Sequence, residues 1–166
     1  MALGKYKAGS LVLLDGPLIV ARDMAHARFI RDLRAGKGLP DYLKKHIIFY
    51  AGPAETPPGK AIGSLGPTTA QRMDAYVPEL MRQGASLVML AKGNRSSSVA
   101  DACRKYGGCY LGTIGGASAL IAQEHVIQSE IIDFAELGMD AVRRIKVRNL
   151  PAFIIIDRMG RCAYGV

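Results

Sequence analysis

The sequence predicts an α/β fold: a mixed sheet with flanking helices. Three observations carry that prediction. Short apolar runs alternate with amphipathic stretches through the middle of the chain, the pattern of parallel β-α units. Both ends read as β-hairpins, which makes the sheet mixed. The chain has 166 residues, of which 49% are hydrophobic and 22% charged, enough to bury a core of its own without disulfide or metal staples. Neither an internal repeat nor a low-complexity linker divides it, so residues 1–166 read as one domain.

Residues 10–14 form an apolar run and read as a strand; Asp15-Gly16-Pro17 turns the chain and residues 18–20 resume the strand. Residues 21–35 follow as a helix, with Ala25, Phe29, Ile30 and Leu33 at helical spacing and Gly36-Lys37-Gly38 as its stop. Residues 46–51 are a strand, and 52–59, with Pro53, Pro57 and Pro58, a loop. A helix opens at the Gly66-Pro67-Thr68-Thr69 segment and runs to about Gln83, and Gly84 ends it. Residues 86–91 form a strand, 96–106 a helix, 109–114 a strand and 117–125 a helix. Further strands are expected at 130–134 and 152–157, the last turning through residues 158–161 into 162–164.

Composition excludes several classes. No stretch approaches the ~18 consecutive apolar residues of a membrane span, and the first residues lack the apolar core of a signal peptide. Cys103, Cys109 and Cys162 are odd in number and contain no C-x-x-C, which points away from a disulfide framework and toward the reducing cytoplasm. With 22 Lys+Arg against 14 Asp+Glu the net charge is +8, which suits an anionic partner. The basic residues gather at Arg28, Arg31, Arg34, Lys37, Lys44 and Lys45, and again at Arg143, Arg144, Lys146 and Arg148. Interleaved aromatics or a nucleic-acid module do not accompany them, so a solvated face or an acidic protein partner is the simpler reading.

Common catalytic signatures are missing. Gly52 to Lys60 has six residues between its glycines and Ala61 in place of Ser or Thr, so it is no Walker A loop. There is no G-x-S-x-G, and His26, His46, His125 and the cysteines lack zinc spacing, so no metal site is expected on this chain.

Three strand-helix junctions carry chemistry instead. Thr68-x-x-Gln71 fits a capping box with Thr68 as N-cap, and Arg72 stands one turn further on. A helix N-terminus with a guanidinium beside it suits a carboxylate; if Thr69 is the cap, Thr68 is free for other work. Arg22 follows an apolar strand at the mouth of a helix, against the dipole preference, which suggests a ligand or a salt bridge to Asp23 or another acid. His26 shares its helix face. Lys92 ends a buried strand at the edge where open α/β sheets bind ligands; a structural lysine there would have to snorkel outward. If the strands are parallel, Arg22, Arg72 and Lys92 converge on one edge as a site for a small dianion.

The residues at these junctions resemble a known family. Val20-Ala21-Arg22-Asp23-Met24-Ala25-His26, the Gly66-Pro67-Thr68-Thr69-x-x-Arg72-Met73-Asp74 signature, Lys92-Gly93, Gly115-Gly116-Ala117 and the stretch from Phe134 to Ala141 occur in the order seen in class I fumarases. The likeness is to the C-terminal domain, or separate β subunit, of the iron-sulfur hydro-lyases, which class I fumarase shares with L(+)-tartrate dehydratase. The resemblance implies the swivelling β/β/α domain. It implies a 4Fe-4S cluster held by three cysteines of the other domain or of a partner α subunit, its open iron acting as a Lewis acid on substrate. This chain's cysteines do not match those ligands. It implies Thr68 as the base that takes the substrate's proton, Arg22, Arg72 and Lys92 as carboxylate ligands, and His26, Thr69 and Asp23 as supporting residues. A threonine hydroxyl is a weak base at neutral pH, and clustered cations would lower the cost of its alkoxide.

The expectation is therefore one catalytic subunit of a hetero-oligomeric hydro-lyase that hydrates fumarate to L-malate and is inactive alone, with no nucleic acid or membrane partner. Tartrate or methylfumarate are the alternatives within that class, and a basic nucleic-acid-binding module is the alternative outside it.

Overall fold

The computed structural model describes residues 5–164. Its strands are β1 (Leu11–Val20), β2 (Ile47–Phe49), β3 (Ala51–Pro53), β4 (Leu65–Pro67), β5 (Val88–Ala91), β6 (Cys109–Gly112), β7 (Val126–Asp133) and β8 (Val142–Ile156). The helices are α1 (Asp23–Arg34), α2 (Asp41–Lys45), α3 (Val77–Arg82), α4 (Ser97–Tyr106) and the short α5 (Ser118–Leu120), which widens into a π turn at Ile121–His125. Two 3₁₀ segments, Ala70–Met73 and Ala135–Asp140, complete the chain. This is the mixed α/β architecture the alternation predicts.

The main sheet runs β1-β2-β5-β6-β8-β7, and β8 also pairs with β1, so five of its strands close on themselves with β7 at the side. The strands β1, β2, β5 and β6 are mutually parallel, and β8 is antiparallel to both β1 and β6. The hydrophobic pattern follows from that arrangement. Along the parallel strands, Ile47, Phe49, Leu90, Cys109 and Leu111 join one buried cluster with Leu18, Val20, Ile145, Val147 and Leu150. The alternate residues Ile48, Met89 and Tyr110 join a second cluster with Phe29, Leu80 and Val99 of the covering helices. Strands buried on both faces read as continuous apolar runs, which is why they stand out in the sequence.

Four expectations are corrected. The expected N-terminal hairpin is absent: the first strand pairs with the last, and Asp15-Gly16-Pro17 is a bulge inside β1 at which the register shifts between Leu14 and Gly16; the turn at residues 158–161 does fold back as expected, with an antiparallel bridge between Ile156 and Cys162. Gly16 takes φ +104°, a conformation a glycine adopts without strain. β8 begins at Val142, ten residues before the predicted start at Ala152. Its first half buries Ile145 and Val147 on one face, while Arg144, Lys146 and Arg148 face solvent, so the second basic cluster lies on a strand. Residues 52–59 are not wholly loop: β3 and β4 pair antiparallel, with Gly52 opposite Gly66.

The fourth correction concerns the predicted helix from Gly66 to Gln83. Where the helix should open, the backbone of residues 68–70 bridges the ends of β2 and β5 instead. Thr68 N–H donates to the Tyr50 carbonyl at 2.7 Å, Lys92 N–H to the Thr68 carbonyl at 3.2 Å, and Ala70 N–H to the Lys92 carbonyl at 2.8 Å. Thr68 is therefore not an N-cap and the capping box does not form. Thr69 precedes the 3₁₀ turn in an extended conformation and makes no side-chain cap bond. The α-helix proper starts only at Val77, where Pro78 suits a first turn.

Candidate active site

The parallel register brings four strand ends to one edge. Val20 aligns with Phe49, Phe49 with Leu90, and Leu90 with Leu111. The residues just beyond, Arg22, Tyr50, Lys92 and Thr113, thus line the carboxyl edge of the sheet, the usual place for a ligand in such folds. Thr68 enters this edge sideways, threaded by its backbone between the ends of β2 and β5. Its side chain is buried, 8% exposed, whereas Thr69 and Lys92 are exposed. Thr69 and Lys92 form an isolated parallel bridge, and Lys92 lines a cavity of about 520 Å³ with Gly93, Thr113, Ile114 and Phe153.

Both arginines are already engaged by carboxylates. Arg22 Nε donates to Asp140 Oδ1 at 2.6 Å, and Asp140 Oδ2 accepts the Met24 N–H at 3.0 Å. Asp140 therefore caps α1 from the far end of the chain, a task Arg22 cannot perform from the N-cap position. Arg72 grips Asp23 side-on, Nε to Oδ1 at 2.9 Å and Nη2 to Oδ2 at 2.6 Å. The partner of Arg22 is thus Asp140 and not Asp23. Three cations, Arg22, Arg72 and Lys92, stand with two carboxylates, so the five groups carry +1 rather than the +3 that residue counting suggests. Each pairing uses the Nε side of a guanidinium, which leaves Nη groups to meet a ligand carboxylate.

Glycines admit these side chains. A Cβ on Gly52 would lie 2.5 Å from Arg22 Cζ, and one on Gly115 3.1 Å from Lys92 Cδ. Gly52→Ala should leave the fold intact, because a guanidinium at the end of a long side chain can swing away. It should pull Arg22 off Asp140 and, if the edge serves the reaction proposed below, raise the KM by about tenfold, the worth of one charge-assisted hydrogen bond. Steady-state kinetics beside a thermal melt checks this; an unchanged KM would remove Arg22 from the site.

His26 lies beneath the edge, fully buried. Its Nδ1 lies 3.1 Å from the Arg22 carbonyl, and because a carbonyl only accepts, Nδ1–H is the donor. The ring packs edge-on against Tyr50, with centroids 5.0 Å apart. Burial pushes its pKa from 6.5 down to about 4, so the imidazole is neutral. An unfolded chain binds that proton near pH 6.5 and the folded one only near 4. Stability from this group is complete above pH 6.5 and is lost as the pH falls toward about 4, about 3 kcal/mol in all. Denaturant midpoints measured across this range should fall on acidification for the natural chain and fall less for His26→Gln.

The cysteines do not fit an iron-sulfur cluster. Cluster ligands are thiolates, but burial pushes the Cys103 and Cys109 thiols up to about 12 and about 11. Among the described residues no group of three or more His, Cys, Asp or Glu side chains is placed to hold a metal. Nor, among those residues, is any helix long and apolar enough to cross a membrane.

Sequence reasoning missed the structural roles of Asp140, Gly52, Asp74 and Arg95. Asp140 is 118 positions from Arg22, and no local spacing rule joins residues so far apart; the resemblance alone singled out its segment.

Comparison with known proteins adds the family. The model for the C-terminus of fumarase matches residues 1–165. An aerobic class I fumarate hydratase of Salmonella typhimurium is 52% identical over 158 residues, 95% of this chain and 27% of that protein. Fumarate hydratase 2 of Leishmania major is 51% identical over 163 residues, 98% of this chain and 29% of that protein. A Methanocaldococcus jannaschii protein, provisionally named L(+)-tartrate dehydratase subunit beta, is 32% identical over 164 residues, 96% of this chain and 84% of its own length. The chain thus spans less than a third of the length of those two fumarate hydratases.

Proposed function

From the premise that this chain belongs to the fumarase C-terminus family, we propose that it is the carboxylate-binding half of a hydro-lyase that interconverts L-malate and fumarate. The observation that supports this most is the carboxyl edge itself, where Thr68 is threaded between the ends of β2 and β5, with Lys92 directly after β5 and Arg22 just beyond the neighbouring β1. Relatives at 51 to 52% identity carry the fumarate hydratase name and the one at 32% the tartrate name, which favours fumarate over tartrate. The fold is read as the swivelling β/β/α domain of this family.

In this reading Arg22 and Arg72 present their free Nη groups to one substrate carboxylate each, with Lys92 adding a third cation. Asp140 and Asp23 hold the two guanidinium groups so that their forks are formed before substrate arrives, which spares the entropy of ordering them. In the dehydration direction Thr68 Oγ1, as alkoxide, takes the proton from the carbon adjacent to a carboxylate, the C–H electron pair becomes the double bond, and the C–O bond at the neighbouring carbon breaks with loss of hydroxide, for which the cluster, when bound in the other region, would supply the Lewis acid. The net positive edge lowers the cost of that alkoxide. In hydration the same hydroxyl returns the proton.

A 4Fe-4S cluster is assigned to the remainder of the polypeptide or to a partner α subunit, since Cys103 and Cys109 are core thiols and Cys162 alone is partly exposed. The beta-subunit name of the Methanocaldococcus relative supports a two-chain arrangement. The three unpaired cysteines suit the reducing cytoplasm.

The test is reconstitution. Fumarate consumption should be absent from the purified chain and appear when the cluster-bearing region is supplied anaerobically. Turnover of malate by this chain alone would overturn the half-site reading.

A further inference from the structure

We propose that Asp74 and Arg95 are positioning residues: a buried ion pair that fixes the segment carrying Thr68 and Arg72 against the loop carrying Lys92. The inference rests on the reading of the site given above. The Arg95 side chain has no exposed surface and that of Asp74 is 11% exposed. Such pairs are poor sources of stability, because desolvation offsets the attraction and apolar residues of similar volume often serve as well. The contacts of this one account for it differently.

Arg95 Nε donates to Asp74 Oδ1 at 2.6 Å, and Asp74 Oδ2 accepts the Ser96 N–H at 2.7 Å. Asp74 directly follows the 3₁₀ turn that carries Arg72, and its N–H donates back to Gln71 at 3.2 Å. The guanidinium lies between two aromatic rings, 5.4 Å from the centroid of Tyr50 and 5.2 Å from that of Tyr110. Each ring belongs to a residue that holds one part of the edge. The Tyr50 carbonyl accepts the Thr68 N–H at 2.7 Å. The Tyr110 hydroxyl donates to the Gly93 carbonyl at 2.8 Å, one residue past Lys92. One planar cation thus touches the anchors of Thr68, Arg72 and Lys92 together. An ion pair and two cation–π contacts tie these groups to one side chain, which apolar filling does not.

The test uses the assembled enzyme and the double variant Asp74→Asn/Arg95→Met. This pair removes both charges, keeps an acceptor for the Ser96 N–H and fills the space. Its melting temperature should stay near that of the parent. Its kcat/KM should fall about a hundredfold, the effect of an ångström-scale misplacement, with kcat carrying most of the loss. Kinetics like the parent's, or a loss that only tracks the unfolded fraction, would overturn the proposal. Should the double variant not fold, Arg95→Lys keeps the charge but loses the fork and the stacking; it should fold and lose about tenfold in kcat, and an unchanged kcat would overturn the proposal equally. Lys92→Met is the parallel arm. If it is crippled while both pair variants are not, the positioning role fails alone. If it is unaffected, the reading of the site fails and the positioning role with it.

Discussion

Replacing Thr68 by valine should lower kcat for fumarate hydration by about a thousandfold in the assembled enzyme, within the range of a lost general base, while KM changes only a few-fold. Valine is nearly isosteric and, like threonine, β-branched, so it suits a position bonded between two strand ends. The bonds to the Tyr50 carbonyl and from the Lys92 N–H are made by the main chain and survive the change. Buried at 8% exposure, the side chain loses its hydroxyl and little else. The cations proposed to bind carboxylates are untouched, hence the small effect on KM. Thr68→Ser restores an Oγ and should recover much of the rate. A valine variant with the parent's kcat would remove Thr68 from proton transfer, whatever the serine variant does.

How much of this was legible in the sequence depends on the range of the interactions. β2, β5 and β6 are buried on both faces, so their apolar runs announce a parallel sheet, and with it the edge where Arg22 and Lys92 stand. A cation directly after a buried strand conflicts with burial or with the helix dipole, and that local conflict marked both residues. Thr68-x-x-Gln71 shows the limit of such rules. The same letters that cap a helix were drawn between two strand ends, because the carbonyl of Tyr50 and the backbone of Lys92 offered hydrogen bonds that no local window contains. β8 was half hidden for a related reason. Its first half is covered on one face only, and cations alternate with its buried residues. Asp140 and the Asp74–Arg95 pair depend on chain crossings of 118 and 21 residues; the pairing of β1 with β8 decides the first and the bridge of Thr69 to Lys92 the second.

Arg72→Lys, usually a mild exchange, should reduce kcat/KM for fumarate by roughly 150-fold, the equivalent of about 3 kcal/mol for a lost bidentate charge-assisted contact. The reason is the division of labour on the guanidinium. Asp23 takes Nε and one hydrogen of Nη2, and the opposite edge of the fork remains for a substrate carboxylate. An ammonium is a point charge without two such edges. Lysine can satisfy Asp23 or the substrate, and Asp23 is always present. The loss should therefore fall mainly on KM, and it should be larger for diacid inhibitors than for monoacids that need only one carboxylate site. Removing the competitor tests the explanation: Asp23→Asn placed on Arg72→Lys should recover part of the lost affinity, although Asp23→Asn alone should weaken binding by freeing a guanidinium that Asp23 had oriented. Such a reversal of sign between backgrounds is the signature of two residues acting on one ligand. Additive effects would mean that Asp23 and Arg72 pair on the surface without serving the site.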